Sequence, residues 1–168
     1  MRKYWSFFKM RLMAGLQYRA AALAGMSTQF VWGAMEILLY RAFWLEHPER
    51  FPMGMEALST YIWIQQAFLG LFALWLWEFE ILDSVKTGAV SYELLRPTGI
   101  YGMWMTRTVA NRLARAFLRM VPVILLSSLL PSPWGLRLRI SPAAFGVFLL
   151  SMVLMVLVAC AYSLFVYA

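Results

Sequence analysis

A single cysteine, Cys160, and a single histidine, His47, occur among 168 residues. One cysteine excludes an intrachain disulfide framework; within an apolar run it behaves as a small hydrophobe. His47 sits in "LEHPER" with only Glu46 and Glu49 near it in sequence, so it reads as a solvated loop histidine. The chain lacks any His, Cys and carboxylate grouping at metal-ligand spacing. It also lacks H-E-x-x-H and the phosphate-cradling G-x-x-x-x-G-K-[ST]. No metal site, catalytic residue or nucleotide site of its own is therefore expected, and an enzyme is not. Charge is scarce as well: 14% of residues are charged, against about 25% in soluble globular domains. Internal repeats and low-complexity segments are missing too.

What is abundant is apolar surface. Hydrophobic residues make up 62% of the chain, and they come in blocks, the pattern of segments dissolved in lipid. The first block, "AAALAGMSTQFVWGAMEILL" followed by Tyr40-Arg41, predicts a span over residues 20–41. About 20 helical residues cross a hydrocarbon core about 30 Å thick. A second span is predicted over residues 60–78, with Trp63 near one end and Trp75 and Trp77 near the other, as in an aromatic belt. A third, over residues 107–131, starts basic and enters lipid near Ala116; Arg112, Arg115 and Arg119 share a face, Arg119 snorkels, and Pro122 kinks the helix. The fourth, over residues 143–168, carries no charge. The fold class expected is all-α: a polytopic transmembrane protein of about four spans forming a single domain.

Basic residues outnumber acidic ones by 15 to 8. In a chain this apolar they are topology signals rather than a nucleic-acid footprint. Eleven of the 15 lie in the N-terminal arm or the segment from Lys86 to Arg119. The positive-inside rule puts both in the cytosol, with the loops around Arg50 and Arg137 on the far side. The arm itself, residues 1–19, interleaves bases with aromatics. Tyr4, Phe7, Phe8 and Arg11 fall at helical spacings, and Trp5, Phe8, Leu12 and Leu16 can share a face. This predicts an amphipathic helix at the membrane surface.

Three polar residues inside spans are candidate lining for a translocation path: Glu36, Gln65 and Gln66. An intramembrane acid is costly against lipid. Glu36, however, lies about one turn from the end of its span, which favours a structural role at the interface. At least one of the two glutamines is expected to hydrogen-bond to another helix.

Between the second and third spans lies a polar, turn-rich insert, residues 79–106. "EFEILDSVKTG" fits a short amphipathic helix, with Phe79, Leu82 and Lys86 three and four apart and Gly88 as its stop. "AVSYELLRP" is semi-apolar and ends at Pro97. Such a piece can dock in another protein's groove or lie on the membrane as a connector.

The run Gly88, Val90, Ser91, Leu94, Leu95, Arg96, Pro97 follows the pattern G-x-[IV]-S-x-x-L-L-R-P. With "AALAGMSTQFVWGAMEILLYRAFW" before it, the chain resembles permease subunits of ABC transporters of the type-2 exporter class, especially the bacterial permeases encoded beside their own ATPase. The resemblance covers essentially the whole chain. It implies a multi-pass protein of the bacterial plasma membrane with a cytosolic N-terminus, working with a second permease copy or a sister permease. It further implies that the insert is a coupling helix docking on a separate cytosolic ATPase, which holds the ATP and Mg. By the same resemblance Glu80, Asp83, Lys86, Gly88, Ser91, Tyr92, Glu93, Leu94, Leu95, Arg96 and Pro97 would form that contact. Such permeases usually have six spans, so a four-span chain is expected to be C-terminally truncated. The alternative expectation is a non-transporting anchor that recruits a cytosolic protein through the same insert.

Overall fold

The computed structural model describes residues 2–17, 19–75, 77–138 and 140–167. Parts of the expectations fall on Met1, Tyr18, Leu76, Arg139 and Ala168, which lie outside the described residues. Among the described residues the fold is all-helical, without strands. The helices are α1 (Arg2–Leu16), α2 (Arg19–Glu46), α3 (Met55–Phe72), α4 (Phe79–Lys86), α5 (Val90–Leu94), α6 (Ile100–Leu129) and α7 (Pro142–Tyr167), with a 3-10 turn at Pro48–Arg50.

Two helices are long and apolar enough to cross a membrane, Ala22–Glu46 of α2 and Pro142–Tyr167 of α7. Only 22% and 17% of their most apolar windows are buried within the chain. Apolar side chains left open all round a helix need lipid or protein around them. The helices at the other two expected spans, α3 and α6, are less apolar than this pair. In α3, 18 residues long, Glu56, Ser59, Thr60, Gln65 and Gln66 dilute the apolar character. Within α6, Arg107, Arg112, Arg115 and Arg119 do the same.

Packing groups the chain into two compact units. One comprises Tyr18–Gly70 and Arg115–Pro142. Its core joins Ile37 of α2, Ile62, Trp63 and Ala67 of α3, Val123 of α6 and Leu136 of the loop that follows. Trp63, expected in an interfacial belt, is instead 1% exposed. Its ring stacks on Phe30 at 4.9 Å, and its indole N–H donates to the Trp134 carbonyl at 2.7 Å. A tryptophan whose N–H finds a buried acceptor contributes its full apolar area to a core. Arg119, expected to snorkel, has its guanidinium over Gly25 of α2. The α6 helix runs through Pro122 to Leu129 without interruption.

The other unit comprises Met1–Gln17, Leu71–Ala114 and Ala143–Ala168. Here α1 is a continuous helix. Its half-buried side carries Tyr4, Phe7, Phe8, Arg11 and Leu12, while Trp5 is exposed. Tyr4 lies against Gly102 of α6, where an added Cβ would meet the tyrosine ring at 3.0 Å. The missing side chain at Gly102 lets α1 approach that closely.

The expected second span also ends early. Hydropathy continues through Trp77, yet the helix stops at Phe72. The physical reason is Arg112. Its Nη1 donates to the carbonyls of Leu71 at 3.2 Å and Ala73 at 3.0 Å. A guanidinium that satisfies the orphan carbonyls of a helix end stabilises that end where it stands.

Candidate functional site

The insert folds as a helix–turn–helix, α4–Gly88–α5. At the end of α4 the Thr87 N–H donates to the Asp83 carbonyl and the Gly88 N–H to the Val85 carbonyl. Gly88 has φ +75°, the left-handed conformation a helix stop uses and a side chain resists. The stop expected there is the one the backbone makes. The face that α4 buries is different from the expected one. Phe79 is exposed, whereas Ile81 is fully buried against Leu164 and Tyr167 of α7. Just before α4, Glu78 is 6% exposed. Its backbone N–H donates to the Tyr167 hydroxyl at 2.8 Å, and its carboxylate accepts from Asn111 Nδ2 at 2.7 Å. The 78–81–82 face is therefore anchored at both its polar and apolar positions.

Four helices of this unit meet through charge. Glu80 of α4 accepts from Arg11 of α1 at 2.8 Å and has Arg107 of α6 at 3.8 Å. Arg107 lies 3.6 Å from Glu93 of α5, and Glu93 also accepts from the Trp104 indole at 2.7 Å. Arg107 stands at the start of α6, ahead of its apolar stretch. Burial first, then the neighbouring Arg11 charge, pull its guanidinium below its ordinary value, while Glu93, Glu80 and Glu78 pull the other way. An arginine side chain nonetheless stays charged in a protein. Arg107 is thus a permanent cation holding two carboxylates on different helices.

Deeper in the same unit, Arg112 is 0% exposed. Besides the two carbonyls near the end of α3, its Nη2 donates to Ser163 Oγ of α7 at 2.7 Å. Its partners here are neutral oxygens, so this is charge-assisted hydrogen bonding in which dipoles solvate a buried cation.

Apart from Gly88 at the turn, the residues expected to meet an ATPase separate into two sets. Glu80 and Glu93 belong to the charge network, and Glu93 is turned inward as a strut. Asp83, Lys86, Ser91, Tyr92, Leu94, Leu95, Arg96 and Pro97 are exposed. Among these, Tyr92, Leu94 and Leu95 are 73%, 64% and 82% exposed, three large apolar side chains open to the outside on and just after α5. Ser91 Oγ donates to the Gly88 carbonyl at 2.8 Å and so stabilises the first turn of α5. Arg11, Arg107, Trp104 and Arg112 were outside the expected site. Trp104 and Arg107, three apart on one helix, give the one local signal that could have pointed there.

Of the three candidate path residues, two come together in the unit of α2 and α3. Gln66 Nε2 donates to Glu36 Oε2 at 3.2 Å, so one glutamine does bond across helices. The buried Gln66 Oε1 has no hydrogen-bond partner. Gln65 points elsewhere and is exposed. No group of metal-ligating side chains occurs among the described residues. In comparisons with known proteins, the chain matches no family model, no curated sequence and no solved structure.

Proposed function

We propose that this chain is the membrane subunit of an ATP-driven exporter of the ABC type-2 class, and that it receives a separate cytosolic ATPase on the α4–α5 insert. In this reading α3 and α6 join α2 and α7 as spans, four in all. The chain sits in a bacterial plasma membrane with its N-terminus and the insert in the cytosol, and it pairs with a second copy or a sister permease. It contributes no catalytic group; ATP and Mg belong to the partner.

The observation that carries the reading is the exposure of Tyr92, Leu94 and Leu95 on a segment otherwise pinned by ions. Burying a leucine side chain contributes about 1.5–3 kcal/mol. Two leucines and a tyrosine therefore offer a partner enough to form a central anchor, while the charge network keeps the segment in one pose.

Capture of the full chain from its native membranes tests this. Recovery of a nucleotide-hydrolysing subunit, lost when Leu95 is changed to Asp or when Leu94 and Arg96 are both changed to Ala, is the expected result. Recovery of none from wild type would sink it. The same exposed side chains would suit a non-transporting anchor. In the reconstituted complex, a permease makes ATP hydrolysis respond to substrate, and an anchor leaves it indifferent.

A further inference from the structure

In the unit of α2 and α3, a pocket of about 330 Å³ opens between Phe30, Ala34 and Leu38 of α2, Trp63 of α3 and Trp134 of the loop after α6. Its lining is wholly apolar, and its volume lies at the low end of the range of about 300–1,000 Å³ that small-molecule sites occupy. The walls are fixed. Phe30 stacks on Trp63, and the Trp63 indole holds the Trp134 carbonyl. Charge touches two of the lining residues. The Arg41 guanidinium lies 4.5 Å above the Trp134 ring, and the Arg137 Nη2 donates to the carbonyl of Leu130, another lining residue, at 3.3 Å. Arg137 shares a neighbouring pocket with Glu56, whereas Arg41 has no carboxylate partner among the described residues. An apolar aromatic slot with an unneutralised guanidinium stacked on one of its walls suits the two ends of one kind of ligand: a hydrocarbon chain joined to an anion.

We propose that this pocket takes one acyl chain of a glycerophospholipid of net negative headgroup, with Arg41 meeting the headgroup. The inference rests on the chain lying in a membrane, but not on its receiving an ATPase. A cation near the bilayer surface favours an anionic over a zwitterionic headgroup about fivefold.

The test uses the full chain in phosphatidylcholine vesicles carrying a trace of lipid with a diazirine in its acyl chain, on either a phosphatidylglycerol or a phosphatidylcholine headgroup. Label is mapped by residue. At Ala34 and Trp134, phosphatidylglycerol should label about fivefold more than phosphatidylcholine. At Val147 of α7, which is exposed, the two should label equally. Arg41→Gln should bring the ratio at the pocket to that at Val147. Ala34→Phe, which fills the slot, should remove pocket label from both lipids and leave Val147 unchanged. Equal labelling by both headgroups at Trp134, or a preference that survives Arg41→Gln, overturns the proposal. So does a second copy in the slot, seen as disulfide-linked dimers of Leu38→Cys in a Cys160→Ser background. Loss of label at Val147 as well would sink the membrane reading itself, whereas an ATPase that fails to co-purify would leave this result standing.

Discussion

Replacing Arg112 by Met should loosen the contact between α6 and α7 by an amount that Cys160 reports. The guanidinium makes hydrogen bonds to Leu71 O, Ala73 O and Ser163 Oγ, at 3.2, 3.0 and 2.7 Å. A hydrogen bond to a charged group contributes roughly 1.5–3 kcal/mol net, so three give an upper range of about 5–9 kcal/mol. Met fills similar volume and removes a buried charge whose desolvation costs several kcal/mol. The difference is about 2–4 kcal/mol in favour of the wild type, at the lower end if the separated helices face lipid, where such bonds average about 0.6 kcal/mol.

Cys160 is fully buried and lies one turn before Ser163 on α7. Its thiol is reached when that contact opens. In detergent micelles, the rate of maleimide labelling in the regime of fast reclosing follows the opening equilibrium. At about 1.36 kcal/mol per decade, Arg112→Met should accelerate labelling roughly 30-fold to 900-fold. Ser163→Ala removes a single bond to Arg112 and should give roughly 10-fold. In the double mutant the effects should be far from additive, because Ser163 contributes little once the guanidinium is gone. Wild-type labelling rates in Arg112→Met would refute the reasoning: the buried guanidinium would then be offset by its own desolvation and would hold nothing.

Other substitutions separate strong contacts from weak ones, read by the same labelling or by thermal unfolding. Glu80→Gln should cost under about 1 kcal/mol, because the Glu80 side chain is 61% exposed and solvent screens its pair with Arg11. Glu93→Leu should cost about 1–3 kcal/mol, since it leaves the Trp104 indole without its acceptor and Arg107 short of a carboxylate. Gly88→Val should cost roughly 1–2 kcal/mol through its positive φ and should fray the end of α4, visible as faster amide exchange at Thr87. Gly102→Leu should displace Tyr4, and Tyr4→Ala in the same chain should recover part of the loss, a coupling that a double-mutant cycle measures.

How far the fold could be read depended on whether its cause was local. The long apolar runs of α2 and α7 and the Gly88 stop each follow from a few neighbouring residues, and the structure has them close to where the pattern puts them. Tyr4, Phe7, Phe8 and Arg11 also fall on the inward side of α1 as their spacing suggests. Arg112 is the opposite case. In sequence it is one of three similar arginines on a basic helix start, with Arg115 and Arg119. What buries it is a pair of carbonyls near residue 72 and a hydroxyl at residue 163, and nothing in its own neighbourhood announces either. The early end of α3 follows from the same contact, so hydropathy, which sees only local composition, extends that helix too far. Trp63 shows the same limit: a tryptophan near the end of an apolar run suits the interface equally well until Phe30 and the Trp134 carbonyl are seen to enclose it.

The arrangement of charge within the insert bears on how a load on α5 would reach the helices packed around it. A load on Tyr92, Leu94 or Leu95 meets Glu93 first, on the same short helix. Glu93 is held by Trp104 and Arg107, both on α6, so displacement of α5 has to move α6 or break a charge-assisted bond. Five residues beyond Arg107, Arg112 fastens α6 to the end of α3 and to Ser163 of α7. Beside it, Ile81 and Glu78 fasten the start of α4 to Tyr167 of α7. Each of these links is buried or half-buried, where low local polarity makes a polar bond costly to break and leave unpaired. The exposed pair Arg11–Glu80 is the weak member. It can open while the rest stay closed, leaving α1 held by its apolar side and by Tyr4 against Gly102. A load on α5 would therefore pass to the start of α6 and, through Arg112, to the second half of α7.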